Sequence, residues 1–314
     1  MIIWLHDRLF ANDRQGDLAL LTLLRNAAAR GHTLIISNSP NSPFHRRSSS
    51  YFEQWISTFP VRLEEELKLI RQQLMIVSAN STVRGTGRLL VSARKIPDGI
   101  TGCQISLEEA VRAAAQPLYV LVENQINDAA FLRRVMPPVW SKKLLQWESE
   151  GKLRYEHSGG IDTMRNIVMF YTQDDKARLA FGLPAQIWQL GHFIIYDHDG
   201  KNAENPSQSS MDLKKICVQN RSHRLLRRCQ ENYLPKEVML AIIEKRITDP
   251  NDRIQRRIKI DQHCSGGDQR HFTKLDKLFK NGFTEEIAWV EDWFKNDGSW
   301  PEMTELAEKI AAAM

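Results

Sequence analysis

No run in this chain approaches the ~20 consecutive apolar residues that a transmembrane helix requires, so no membrane span is expected. Residues 1–8 carry no basic stretch followed by an apolar one and do not read as a secretory leader. Cysteine is sparse: Cys103, Cys217, Cys229 and Cys264 are the four present, and no two form a C-x-x-C pair. That spacing gives no zinc signature, and it argues against a disulfide framework in a chain of 314 residues. Reduced thiols and a cytoplasmic setting are expected. No G-x-x-x-x-G-K-[ST] motif is present, so any ATPase must be a separate chain. There is no internal repeat and no low-complexity tract.

What is present is the composition of a folded globular protein, 42% hydrophobic and 26% charged, long enough for two or three domains. A net charge of +5 and a pI near 9.0 favour an anionic partner. The basic residues cluster: Lys214, Lys215, Arg221, Arg224, Arg227 and Arg228 in one group, Arg253, Arg256, Arg257 and Lys259 in another. Phosphate contacts require Lys and Arg, so nucleic acid is the natural partner; a solvated helix face is the plainer alternative.

Apolar patterning predicts a strand at 2–5, a helix at 17–30 closed by Gly31 and a strand at 33–37, a βαβ-like opening. Residues 38–50 read as a loop, where His45, Arg46 and Arg47 are either phosphate contacts or simply exposed. A helix is expected at 62–74 and a strand at 89–92. Ser106 and Glu109 match a capping box that opens a helix ending before Pro117. The apolar run 118–122 suits a parallel strand buried on both faces, and it ends in Glu123. A turn at 124–127 and a helix at 128–135 follow, so Glu123 stands at the carboxyl end of a strand, where open α/β sheets bind ligands. After a strand at 153–156, Gly159-Gly160 marks a turn that permits positive φ. Beyond residue 235, helices are expected at 236–246, 272–281, 285–295 and 301–313.

The most informative segment is Phe193-Ile194-Ile195-Tyr196 running into Asp197-His198-Asp199-Gly200. Two aspartates two apart in an extended segment share a face, with Cα atoms about 7 Å apart. Their carboxylates suit one hard cation such as Mg²⁺ or Mn²⁺, and their mutual repulsion is costly without one. His157 and His198 flank the segment and read as solvent-facing neighbours.

Strand-end Glu123, Gly159-Gly160, Asp197-x-Asp199 and Arg228-x-x-Glu231-Asn232-Tyr233, in that order, resemble a Toprim domain. Within that group the chain looks most like the Toprim nucleases of the overcoming-lysogenisation-defect (OLD) type found in bacterial anti-phage defence. The resemblance covers roughly residues 115–240. It implies an α/β fold with a central, mostly parallel sheet flanked by helices, an N-terminal α/β region and a helical C-terminal region, divided at 1–105, 106–240 and 241–314. The family's first motif reads Glu-Gly-x-x-Asp; here Glu123-Asn124-Gln125-Ile126-Asn127-Asp128 has Asn for Gly and the acid one place late, as from a one-residue insertion.

The resemblance implies a Mg²⁺- or Mn²⁺-dependent nuclease acting on DNA or RNA, with metal ligands Glu123, Asp128, Asp197, Asp199 and Glu231. Glu123 serves as ligand or general base, and Arg228, or Lys201 or Lys214, offsets charge on the phosphate. A separate ATPase or sensor subunit is an expected partner. The altered first motif also admits an inactive regulatory or partner-binding subunit. Each motif alone has a plainer reading: Glu123 as a helix N-terminal charge, Asp197–Gly200 as a surface turn, Arg228 and Glu231 as an i,i+3 ion pair.

Overall fold

The computed structural model describes residues 1–11, 16–37, 50–80, 88–92, 102–287 and 289–314. His45, Arg46 and Arg47 lie outside them. The elements in chain order are β1 (Ile2–His6), α1 (Asp17–Arg30), β2 (Thr33–Ser37), α2 (Ser50–Ser57), α3 (Val61–Asn80), β3 (Arg88–Val91), β4 (Cys103–Ile105) and α4 (Leu107–Ala115). There follow β5 (Leu118–Val122), α5 (Gln125–Val135), α6 (Pro138–Ser149), β6 (Leu153–His157), α7 (Ile161–Tyr171), α8 (Asp174–Phe181), α9 (Ala185–Gly191), β7 (His192–Tyr196) and α10 (Gln208–Ile216). The remainder is β8 (Ser222–Arg224), α11 (Lys236–Arg246), α12 (Pro250–Cys264), α13 (Glu291–Asn296) and α14 (Trp300–Ala313), with short 3-10 turns between. No helix among the described residues is long and apolar enough to cross a membrane.

The fold is α/β, with two four-stranded, all-parallel sheets flanked by helices, ordered β2-β1-β3-β4 and β6-β5-β7-β8. Two compact units carry them: Met1–Pro117 with Asp174–Gly191 and Met314, and Leu118–Gln173 with His192–Ala313. The sequence-based borders at 105/106 and 240/241 are not the borders of these units. Helix α4 belongs to the first because Ala110, Ala113 and Ala114 share a core with Leu20, Leu23 and Leu24 of α1. Leu183 and Ile187 enter the same core and bring residues 174–191 with them. The C-terminal region is helical and falls within the second unit.

In the second unit all five residues of β7 are buried, as expected of a central parallel strand. Each fully buried Phe or Ile contributes roughly 1.5–3 kcal/mol, which holds β7 beside β5 with Leu121 opposite Ile194. Four local expectations change. Strands β4 and β8 are only three residues each, too short for a periodic signal. Helix α12 was not foreseen, though Asp249 caps it by accepting the Asn251 and Asp252 N–H groups and Pro250 opens it. Residues 272–281 hold no α-helix; Asp276 instead caps the 3-10 turn Lys277–Phe279. Among the described residues of 285–295 only α13 is helical, and it starts at Glu291.

Candidate metal centre

Glu123 follows β5 and Asp197 follows β7, and these strands are neighbours in the sheet. The end of β6 locks the first of them: Ser158 N–H donates to Val122 O at 2.9 Å and Gly159 N–H to Glu123 O at 3.2 Å. Gly159 and Gly160 have φ of +81° and +117°, the positive values that the Gly-Gly pair permits.

Helix α5 begins at Gln125, earlier than the expected 128, because Asn124 is its N-cap; the Asn124 side chain accepts the Ile126 and Asn127 N–H groups at 3.1 Å each. Asp128 thereby falls in the first helical turn. Its Oδ2 accepts the Asn124 N–H at 3.0 Å, while its buried Oδ1 has no hydrogen-bond partner.

Asp199 does not share Asp197's strand geometry. Strand β7 ends at Tyr196, and Asp199 is exposed with a left-handed φ of +56°. Extended alternation therefore does not put the two aspartates on one face. The turn is built around His198, which is buried rather than solvent-facing. Its Nδ1 accepts the Gly200 N–H at 3.2 Å, its Nε2 lies 3.2 Å from Ala203 O, and its ring packs edge-on against Phe272. A Cβ at Gly200 would meet Asn205 O at 2.1 Å and the His198 ring at 2.6 Å, so only glycine fits. His157 is exposed at the end of β6.

The loop after β8 brings the last motif to the same place. Asp199 N–H donates to Arg228 O at 2.7 Å, and Glu231 lies in the 3-10 turn Gln230–Tyr233 within electrostatic reach of Glu123, Asp128 and Asp197. The Tyr233 ring of that turn packs 5.4 Å from Phe131 of α5. Arg228 does not pair with Glu231. Its guanidinium lies 3.4 Å from Phe272 O and 3.5 Å from Gly200 O.

The electrostatics follow from this gathering of acids. Burial, then Asp128 and Asp199, push the Glu123 carboxyl up to about 7, against a hydrogen bond from the Asp197 N–H. Burial pushes Asp128 up to about 6. Asp197 is raised well above the usual carboxylate range by burial, then by Glu123 and Glu231. Cys229 stands beside Asp197 and Glu231, and burial raises its thiol too, so it is a poor nucleophile. A narrow cleft reaches the carboxylates between Val122, Phe131, Ile195 and Gln230. Gln230 was not singled out in the sequence, and no motif pointed to it.

The basic clusters are largely spent on intramolecular contacts. Arg253 and Arg257 pair with Glu244 at 3.0 and 2.8 Å, and Arg256 pairs with Asp252 and Asp276 at 3.0 and 2.7 Å. Arg227 is buried against Asp297, Lys215 pairs with Asp212, and Arg221 donates to Ala313 O. Lys201, Lys214 and Lys259 are exposed.

No protein-family model, no curated protein and no solved structure matches the chain. Among the described residues no three His, Cys, Asp or Glu side chains converge as a ready-made metal site. The donor chemistry nevertheless fits a hard divalent cation. The set is all carboxylate oxygen, Glu123 and Asp197 are each held above their ordinary proton affinity first by burial and then by neighbouring acids, and Asp128 Oδ1 is buried with no hydrogen-bond partner.

Proposed function

We propose that the chain is a metal-dependent phosphodiester hydrolase acting on DNA or RNA, an effector of the anti-phage Toprim nuclease type. The observation that carries this reading is that half-buried Glu123 and Asp197 end the neighbouring parallel strands β5 and β7, with Asp128, Asp199 and Glu231 within electrostatic reach. Such a gathering of acids is costly in a metal-free protein, and a divalent cation relieves it.

Glu123, Asp197 and Glu231 would hold Mg²⁺ or Mn²⁺, with Asp128 and Asp199 beside them. The ion, when bound, neutralises charge on the scissile phosphate and lowers the pKa of a water. Glu123 serves either as a ligand of that ion or as the general base that takes a proton from the attacking water. Arg228, held by backbone carbonyls rather than by an acid, keeps guanidinium donors for a phosphate oxygen.

The test is cleavage of DNA and RNA panels with Mg²⁺ or Mn²⁺. Cleavage that EDTA stops, and that Glu123→Ala and Asp197→Ala abolish in folded protein, is the expected result; cleavage unchanged in both variants overturns the reading. A second reading, a regulatory subunit without activity, is favoured by the use of Asp128 Oδ2 to bind the Asn124 N–H. It predicts no cleavage under any of these conditions.

A further inference from the structure

Glu302 lies on α14, 71 residues beyond Glu231, yet it holds both ends of the loop that carries Arg228 and Glu231. Its Oε1 accepts the Leu226 N–H at 2.8 Å and faces His223 Nε2 at 3.2 Å. Its Oε2 accepts the Tyr233 hydroxyl at 2.7 Å, and that hydroxyl in turn accepts the Arg227 N–H at 3.1 Å. His223, Arg227, Tyr233 and Glu302 are all buried.

The same ends are tied a second time. The Arg227 guanidinium lies over the Tyr233 ring, 4.6 Å from its centroid, and donates to Asn232 O at 2.9 Å. Residues 228–231 therefore span a gap whose two sides meet on one carboxylate. A buried carboxylate is costly unless donors fill its lone pairs. The donors on Glu302 come from β8, from the residue that enters the loop and from the residue that leaves it. None of them serves α14 itself.

We propose that Glu302 is a positioning residue for the candidate metal centre: by closing the loop at Leu226 and Tyr233 it sets where Glu231 stands against Asp197. The inference rests on the metal-centre reading and names a residue outside every motif that suggested it. Partners that orient a metal ligand typically control affinity by about 10- to 100-fold.

The test is Mn²⁺ affinity, read from the electron paramagnetic resonance of the free ion, on the full chain. Glu302→Gln, which keeps the shape and removes the charge, is expected to weaken binding by about 10- to 100-fold. On a Glu231→Gln background the same change is expected to cost little more, because its effect runs through Glu231. Should Glu302→Gln fail to fold, Tyr233→Phe, which deletes only the hydroxyl joining Glu302 to the Arg227 N–H, carries the same pair of measurements. Unchanged affinity in a folded variant overturns the inference, as does a loss that persists in full without Glu231. A wild-type chain that binds no Mn²⁺ overturns the metal reading itself and this inference with it.

Discussion

Asp199 N–H donates to Arg228 O at 2.7 Å, so the Asp-x-Asp turn and the Arg-x-x-Glu loop, 29 residues apart in sequence, are one hydrogen-bonded unit. Arg228 N–H donates onward to His271 O at 2.9 Å. The position of Glu231 thus depends on backbone on both sides of it, and substitutions in the turn are felt in the loop.

Divalent metal should stabilise the chain. A ligand that binds only the folded state at 100 times its dissociation constant adds about 2.7 kcal/mol. Differential scanning calorimetry with Mn²⁺ against EDTA should show a raised melting temperature for wild type and none for Asp197→Asn. That variant, relieved of one like charge among the clustered acids, should melt no lower than wild type in EDTA.

Stability of the metal-free chain should fall as pH rises. Glu123 titrates at about 7 when folded and near its ordinary 4.5 when unfolded, so between these values the folded state binds more protons. Its contribution is fully present below pH ~4.5 and is lost as pH rises through ~7, by roughly 3 kcal/mol. Asp128 acts in the same direction between its ordinary 3.8 and about 6. Urea midpoints in EDTA from pH 5 to pH 8 measure the slope, and Glu123→Gln should flatten it.

Gly200→Ala should be disruptive out of proportion to one methyl group. The new Cβ overlaps Asn205 O and the His198 ring, and neither the backbone oxygen nor the buried imidazole can yield freely. A loss of about 1–3 kcal/mol is expected in chemical denaturation. A variant as stable as wild type would mean that the turn is built differently.

Asn124 separates capping from chemistry. Asn124→Ala removes the acceptor for two amide groups of α5 and should cost about 1 kcal/mol, whereas Asn124→Gly should cost only a few tenths. Denaturation midpoints of the two variants check the ranking.

Much of this arrangement was legible in local patterns. The apolar run 118–122 reads as a buried parallel strand and 193–196 as an extended apolar segment, and Ser106 and Glu109 form the capping box that their spacing announced. Gly159-Gly160 takes the positive φ values its composition permits. Local patterns failed where an element is too short to show a period, as in β8, or where a cap signal competes with a run of charge, as at Asp249 and α12. The turn at Asp199 was misread because strand alternation was carried past Tyr196, where His198 bends the backbone.

The sequence by itself determined which carboxylates end which strands, because burial of an apolar run and the cap that follows it are decided within a few residues. Only the tertiary structure decided that β5 and β7 are neighbours, that most of the basic clusters are spent on nearby acids and carbonyls, and that Glu302 closes the loop around Glu231. Those outcomes depend on which distant groups meet once the chain has packed. A lone glutamate in a C-terminal helix carries no mark of the partners that will fill its lone pairs.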